Sequence, residues 1–351
     1  MVVEILILNK VKKMHCIQKV FYSIVLIFSI YACSSNPLDV NASHIKVDIE
    51  YVNIDSSLKN SNDHNKIKFH NIYKLDFPYL YTRSYNQFIG VDFNSDKQFL
   101  NSINQYYSDP YISRLQNQIK KLGNLNEEKR KIHRSFQYLK YHFPKMQTPK
   151  KIAFISSTFA HRTPVTIENI GISLECYLNN KLKVIKELPV KDFPQYYTEE
   201  LSRKYMVRDV IQEWVSKKLI TNEGNLQFAE KMIYWGKVLY LINASIPDAD
   251  LSLICRYSPD DFKWAEENEQ DIWKHIIDKK MLYKRNEKIN QGWFSEGPFT
   301  QGLPRESPQR LGQYVGYKML LSYMNVNSDM SLKELIKVPY TDIMQEYKIE
   351  K

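Results

Sequence analysis

The side chain with the clearest chemistry in this sequence is Cys33. It closes the run Ile30-Tyr31-Ala32-Cys33, with an aliphatic residue three positions before it and a small one immediately before it. That pattern is a bacterial lipobox, in which the thiol takes a diacylglycerol through a thioether and becomes the mature N-terminus. Other reactive patterns are missing. Of the seven histidines beyond the leader, His44, His64 and His70 fall in or near polar loops or edge strands, His133 and His142 are nine apart, and His161 and His275 are isolated. None has the spacing of zinc ligands. No HExxH, GxSxG, Walker loop or GxGxxG occurs, so standard hydrolase and nucleotide chemistry loses its support and no cofactor is called for. Glu266, Glu267 and Glu269 could serve an acid or a hard cation, but a solvated acidic helix face is the commoner meaning of such a cluster.

The elements that must present Cys33 precede it. Lys10, Lys12, Lys13 and Lys19 lead into an apolar run over 20–32, the form of a signal peptide over residues 1–32. As a helix that run covers only about 20 Å of the roughly 30 Å of hydrocarbon in a bilayer, so it reads as a removed leader rather than a permanent span. Met14 gives a leader of more usual length and is an alternative start. Residues 33–43 then form the tether. Asp39 is the first acidic residue after Cys33, so no acidic cluster marks surface export and a periplasm-facing protein is expected. Once Cys33 is lipidated, Cys176 and Cys255 remain; they are far apart, belong to no CxxC pair, and read as two buried free thiols.

The rest is one globular body over 44–351, with a mixed α/β portion at 44–190 and a mainly helical one at 191–351. With 43% hydrophobic and 25% charged residues it has ample core, and disorder or a disulfide scaffold is excluded. The fold class expected is α+β, mostly helical with a small mixed sheet. Ile45, Val47, Ile49 and Tyr51 alternate as in a half-buried strand, 53–66 is polar and reads as a loop, and helices follow at about 97–107, 111–122 and 126–142. Strands come at 151–157 and 168–175. From Thr198 helices dominate, with Glu199 and Glu200 placed to complement a helix dipole. The helix at 225–243 is apolar nearly all round, hence central, and Gly236 within it suggests a close crossing. Ser258-Pro259-Asp260-Asp261 opens another helix that carries Trp264, Glu267, Asn268, Glu269, Trp273 and His275.

The formal charge is +10, and loss of Lys10, Lys12, Lys13, Lys19 and Glu4 with the leader leaves +7. Ten Lys and Arg against Glu127 and Glu128 over 120–151 account for all of it. Such a face suits anionic lipid headgroups, although a solvated helix face is the commoner meaning, and a nucleic-acid role conflicts with export. Half of the ten glycines, Gly292, Gly297, Gly302, Gly312 and Gly316, fall within 25 residues with Pro298, Pro304 and Pro308. The first part reads as a loop; the second is a helix capped by Ser307, on which Gly312 and Gly316 make a smooth packing face. The stretch is the candidate interaction groove, formed by Lys237, Asn268, Glu269, Trp273, Glu306, Ser307 and Arg310, with Gly236, Gly312 and Gly316 structural. Arg310 is placed to pair with Glu267 or Glu269, or with an acidic partner.

Four stretches together resemble the gliding-motility lipoproteins called GldB: Tyr141-His142-Phe143-Pro144, MIYWGKVLYL at 232–241, NEQDIW at 268–273 and ESPQRLGQYVGYKMLLSYM at 306–324. The resemblance implies a membrane-anchored envelope lipoprotein needed for gliding. It implies work beside other motility lipoproteins and associated export components, with no established enzymatic reaction and no small-molecule substrate identified. One departure is Leu174-Glu175-Cys176-Tyr177-Leu178-Asn179, where Asp and Gly are the expected residues at 175 and 179. The layout is also distantly similar to a group of zinc peptidases in which an HExxH helix precedes a helix with a Glu-Gly pair. Here those helices read YMVRDVIQEW at 205–214 and MIYWGKVLYL, with Trp235 before Gly236. That similarity implies a degenerate zincin-like fold that has lost its metal motif. The alternative it leaves is a divergent metallopeptidase or a cell-wall hydrolase.

Overall fold

A computed structural model describes residues 36–220 and 225–347; the leader, Cys33 and its lipobox lie outside them. Ile152, Ala153, Phe154 and Ile155 are all buried, so their strand needs cover on both faces and neighbours on both edges. It has them. Strand β1 (Glu50–Asn53) and strand β3 (Asn169–Ser173) flank β2 (Lys151–Ile155) in the order β1-β2-β3, with Val52 opposite Ala153 and Ala153 opposite Gly171. The fold is α+β. Its sheet is parallel throughout rather than mixed, because helices and loops return the chain to the same end before each strand, and the one isolated bridge among the described residues, Val165 to Ile170, is antiparallel. Ile45, Val47 and Ile49 do alternate half-buried with exposed neighbours, but that segment is held by side chains instead of a ladder. His133 Nε2 donates to Val47 O at 2.9 Å and Gln137 Nε2 to Ile45 O at 2.9 Å.

The polar stretch expected as a loop is two helices, α1 (Ile54–Lys59) and α2 (Asp63–Asp76). Asn53 and Asn62 start them, each side-chain oxygen accepting the backbone N–H three residues on at 2.9 Å. Helices α3 (Asp96–Ser108), α4 (Pro110–Lys120) and α5 (Asn126–His142) lie where their periodicity puts them. Helix α5 packs on both α6 (Met206–Lys218) and α7 (Phe228–Ser245), so the 44–190 and 191–351 portions share a core. The described residues from Asn41 on form one compact unit, and residues 36–40 belong to a separate one. The described end of the latter is a turn in which Asp39 N donates to Asn36 O at 2.9 Å.

Helix α7 is central, buried over most of its circumference from Phe228 to Ser245. Two helices follow where one was expected: α8 (Pro259–Glu267), begun by the Ser258–Asp261 capping box, and α9 (Glu269–Asp278). The break falls at Asn268, whose Nδ2 donates to Trp264 O at 2.8 Å and so competes with helix continuation. Next come α10 (Glu287–Phe294) and α11 (Leu311–Val326), and α11 packs most extensively on α7. Ser307 does not cap α11. The cap position is Arg310, in the left-handed region at φ 63°, and the Leu311 N–H goes instead to Thr300 Oγ1 at 3.2 Å, an acceptor delivered by the preceding loop. Among the described residues no helix is long and apolar enough to cross a membrane.

Candidate functional site

Helix α6 carries Arg208-Asp209 between Val207 and Val210-Ile211, and all five are buried. Two adjacent charges inside an apolar run must be neutralised by tertiary partners. Asp209 Oδ1 accepts from Arg208 Nη1 at 3.1 Å and Arg256 Nε at 3.2 Å; Oδ2 accepts from Tyr177 OH and Arg256 Nη2, each at 3.3 Å. Arg256 is set by the left-handed end (φ 59°) of the short helix Leu251–Cys255, and its guanidinium lies 4.5 Å from the centre of the Tyr205 ring. Its Nη1 also reaches Glu200, which accepts from Arg310 and Gln309 as well. Arg310 continues the chain of pairs to Glu296 at 3.6 Å, and Glu296 takes Arg162 Nη1 at 2.5 Å.

Seven ionised side chains from five segments therefore form one network. Burial alone would raise the pKa of Asp209, but Arg256, Arg208 and Arg162 outweigh it and hold the carboxyl below its ordinary value. Glu296 is treated the same way, with burial overcome by Arg162, Arg310 and Arg256. Glu213, one turn along α6 from Asp209, is raised by burial, and its only described hydrogen bond is from Gln212 Nε2 at 3.3 Å. The network borders a cavity of about 360 Å³ whose wall includes Arg208, Asp209, Gln212, Trp235 and Arg310. Glu213 and Glu296 line it too, so guanidinium and carboxylate groups both face this cavity.

A second polar group sits beyond the carboxyl ends of the strands. Asp55 accepts from Tyr107 OH at 2.7 Å, Gln116 Nε2 at 2.7 Å and Ser156 Oγ at 2.9 Å. Glu175 accepts from Ser157 N at 2.7 Å and Phe159 N at 3.3 Å, which braces the left-handed pair Thr158 and Phe159. Burial pushes Glu175 up to about 7, against the pull of the Ser157 N–H. Cys176 and Cys255 are free and buried.

The side chains named for the groove are not gathered into one cavity. Arg310 lines the 360 Å³ cavity, whereas the exposed Glu306 and the buried Ser307 line a separate cavity of about 710 Å³ with Arg203 and Tyr205. Lys237 is buried, with Nζ donating to Ile336 O at 3.1 Å and Val338 O at 2.7 Å, and burial lowers its pKa to about 8. Glu269 receives Lys318, Tyr314 OH and Tyr347 OH; Trp273 meets the Tyr347 ring edge-on; Asn268 marks the α8–α9 break. Arg310 pairs with Glu200 and Glu296, not with Glu267 or Glu269. Glu200 is thus at the middle of an ion network rather than in the first turn of a helix. Gly236 and Gly316 face each other at the α7–α11 crossing, while Gly312 faces the Phe294 ring. In the basic 120–151 stretch, Lys131, Arg134, Lys150 and Lys151 make surface ion pairs. Among the described residues no three or more His, Cys, Asp and Glu side chains converge as a metal site would require.

Sequence reasoning missed Glu200, Arg256, Glu296 and Arg162. The signal available was the Arg208-Asp209 dipeptide inside the apolar face of α6.

A mainly helical α+β body built around a buried arginine–carboxylate network is the class these observations define. The chain belongs to the GldB family of gliding motility proteins, whose family model matches residues 35–349. No curated protein and no solved structure matches it.

Proposed function

We propose that this chain is a non-catalytic, lipid-anchored component of the gliding machinery, held at a membrane by Cys33 with its body facing the periplasm. Membership of the GldB family supports the motility role. The observation that carries the non-catalytic part is the occupancy of α6. Arg208, Asp209 and Gln212 stand where a metallopeptidase helix would carry two imidazoles and a general base, and Asp209 is already bound to Arg208, Arg256 and Tyr177. A divalent cation entering there would meet guanidinium groups. The partners on this reading are other motility lipoproteins and associated export components, and Glu306, exposed at the rim of the larger cavity, is the member of the sequence-defined groove open to them.

The second reading, a divergent metallopeptidase or a cell-wall hydrolase, rests on the distant similarity of the α6 and α7 sequences to a zinc-peptidase helix pair, an analogy at the level of fold. The test is direct. Cys33→Ala should abolish fatty-acid labelling, release most of the protein from membranes and abolish gliding, because the acyl chains bury dozens of methylenes at about 0.8 kcal/mol each. Persistent labelling of that variant would refute the anchor. Stoichiometric zinc in the purified protein, with a peptidase activity lost on chelation and recovered with zinc, would replace the first reading by the second.

A further inference from the structure

Leu75 and Ile167 are the two most exposed large apolar side chains among the described residues, at 82% and 78%. Both line one groove, of about 910 Å³, between the end of α2 and the loop 164–168, and Tyr79, also exposed, lines it with them. Exposed apolar side chains scattered singly need no explanation, but the two extreme cases sharing one groove mark a contact surface. Around them the charge is basic. The groove wall and the adjoining segments 43–50, 74–80, 144–151 and 164–169 carry seven lysines against four acids. Three of the four acids are paired within this surface: Asp76 with Lys151 at 2.6 Å, Glu168 with Lys150 at 2.7 Å and Glu50 with Lys151 at 3.6 Å. Lys218 Nζ donates to Ile167 O at 2.7 Å, whereas Lys74 and Lys217 are exposed and make no ion pair among the described residues.

The groove lies at the end of the sheet from which all three parallel strands start. Glu50, Lys151 and Asn169, the first residues of β1, β2 and β3, stand in one row of the register. Asp76, next to Leu75, joins that row: its carboxylate accepts from Lys151 Nζ at 2.6 Å and its carbonyl oxygen from Asn169 Nδ2 at 3.2 Å. The chain enters β1 from the same end. Over 43–51 it runs antiparallel to α5, with Ile45 O at Gln137, Val47 O at His133 and the Tyr51 hydroxyl at Lys129 O. Asn41, where the compact unit begins, is separated from Cys33 by eight residue steps, which span at most roughly 28 Å.

We propose that this end of the body is a membrane-contacting surface, with Leu75, Tyr79 and Ile167 entering the headgroup layer of the bilayer that holds the acyl anchor and the surrounding lysines meeting anionic headgroups. Apolar side chains flanked by lysines are what an interfacial contact requires, and each cation near the surface adds to it. The short chain between Cys33 and Asn41 keeps this end close to lipid, so that the effective concentration is high and a contact of three side chains suffices. Which bilayer is met, and from which end, rests on the Cys33 anchor; the contact itself is a separate property of the body.

The test reads the polarity around single sites. Ile167→Cys and, separately, Leu75→Cys are labelled with a nitrobenzoxadiazole dye on the full-length lipoprotein and reconstituted into vesicles of phosphatidylethanolamine and phosphatidylglycerol; Cys176 and Cys255 are buried and stay unlabelled in the folded protein. Tyr283→Cys, an exposed site outside the groove, is the control. Emission from 75 and 167 should shift to shorter wavelength and be quenched by brominated lipids, while emission from 283 should stay that of a probe in water. The shift should shrink when phosphatidylcholine replaces phosphatidylglycerol, and also in a Lys74→Glu, Lys217→Glu double variant. Flotation with the vesicles reports the anchor independently. Water-like emission at either groove site in a protein that floats overturns the proposal and leaves the anchor standing. A protein that does not float lacks the anchor, and the groove probes, read with vesicles in excess, then decide the contact alone: a shift supports it and none overturns it. Equal shifts in the two lipids would overturn the headgroup pairing, and a shift that appears only as protein density rises would assign the groove to a second copy of this chain instead.

Discussion

Gly316→Ala tests the packing argument most sharply, because two opposite effects of known size compete in it. Replacing a helical glycine by alanine ordinarily stabilises by about 1 kcal/mol through the unfolded chain's entropy and intrinsic propensity. Here the added Cβ would lie 1.9 Å from Met232 O and 2.7 Å from Met232 C on α7, both backbone atoms that no rotamer change moves aside. Restoring an ordinary contact of 3.4 Å requires the crossing to open by about 1.5 Å. Overpacking typically costs about 1 to 3 kcal/mol, and a backbone-to-backbone clash belongs at the upper end, which leaves a net loss of about 2 kcal/mol. In thermal unfolding that is a fall of roughly 4 to 8 °C. The companion Gly236→Ala places its Cβ 2.3 Å from Gly316 O across the same crossing, so the double variant should cost less than the two single losses together. Gly297→Ala is the control, its nearest neighbour, Phe299 O, being an unstrained 3.6 Å away. A Gly316→Ala protein as stable as the parent, measured by urea and thermal unfolding, would refute the crossing.

Two further outcomes follow from the buried acids. Glu175 has its folded pKa raised to about 7, so the folded state favours the protonated form: that stabilisation is complete below the unfolded pKa and is lost as pH rises through about 7. Glu175→Gln should therefore flatten the fall in stability between about pH 4.5 and 7, a span worth about 3 kcal/mol, and equal stability losses in both proteins over that range would contradict the assignment. Asp209→Asn leaves Arg208 and Arg256 buried without their shared counter-charge and should cost about 3 to 5 kcal/mol in urea unfolding; a loss below about 1 kcal/mol would show that the network is not held by Asp209.

Much of the helical frame was legible because it depends on local signals. The Ser258–Asp261 capping box, the apolar circumference of Phe228–Ser245 and the glycines at 236 and 316 each announce their role within one or two turns of chain. Where the reading failed, the deciding partner was either unusual in composition or distant. Asn53 and Asn62 start helices in a stretch so polar that it shows little apolar stripe, and only Ile54, Leu58, His70 and Tyr73 reach the core, with Asp55 buried among them. Thr300 caps α11 from across a loop, so Ser307 and Pro308, the local cap signal, mislead. The ion network is the extreme case. Glu200 meets Arg256 and Arg310 across 56 and 110 residues, separations at which no spacing rule operates. The sequence does disclose that Arg208 and Asp209 are charged residues on an apolar helix, but which partners neutralise them is decided by tertiary structure.

The crossing and the cavity are one mechanical unit. Helix α11 starts next to Arg310, and Gly316 lies six residues on, roughly 9 Å along the axis. On the partner helix, Trp235 in the cavity wall is the immediate neighbour of Gly236 at the crossing. Because neither glycine has a Cβ, the two backbones meet directly and α11 has little freedom to slide along α7. Its first turn is then fixed where Arg310 reaches both Glu200 and Glu296. A gap of 1.5 Å opened at the crossing is comparable to the whole difference between a charge-assisted hydrogen bond and a broken one. The small residues on α7 and α11 therefore have a consequence beyond close packing. They hold the arginine side of the cavity in register with its carboxylates, which keeps the buried pairs of Arg310 with Glu200 and Glu296 made.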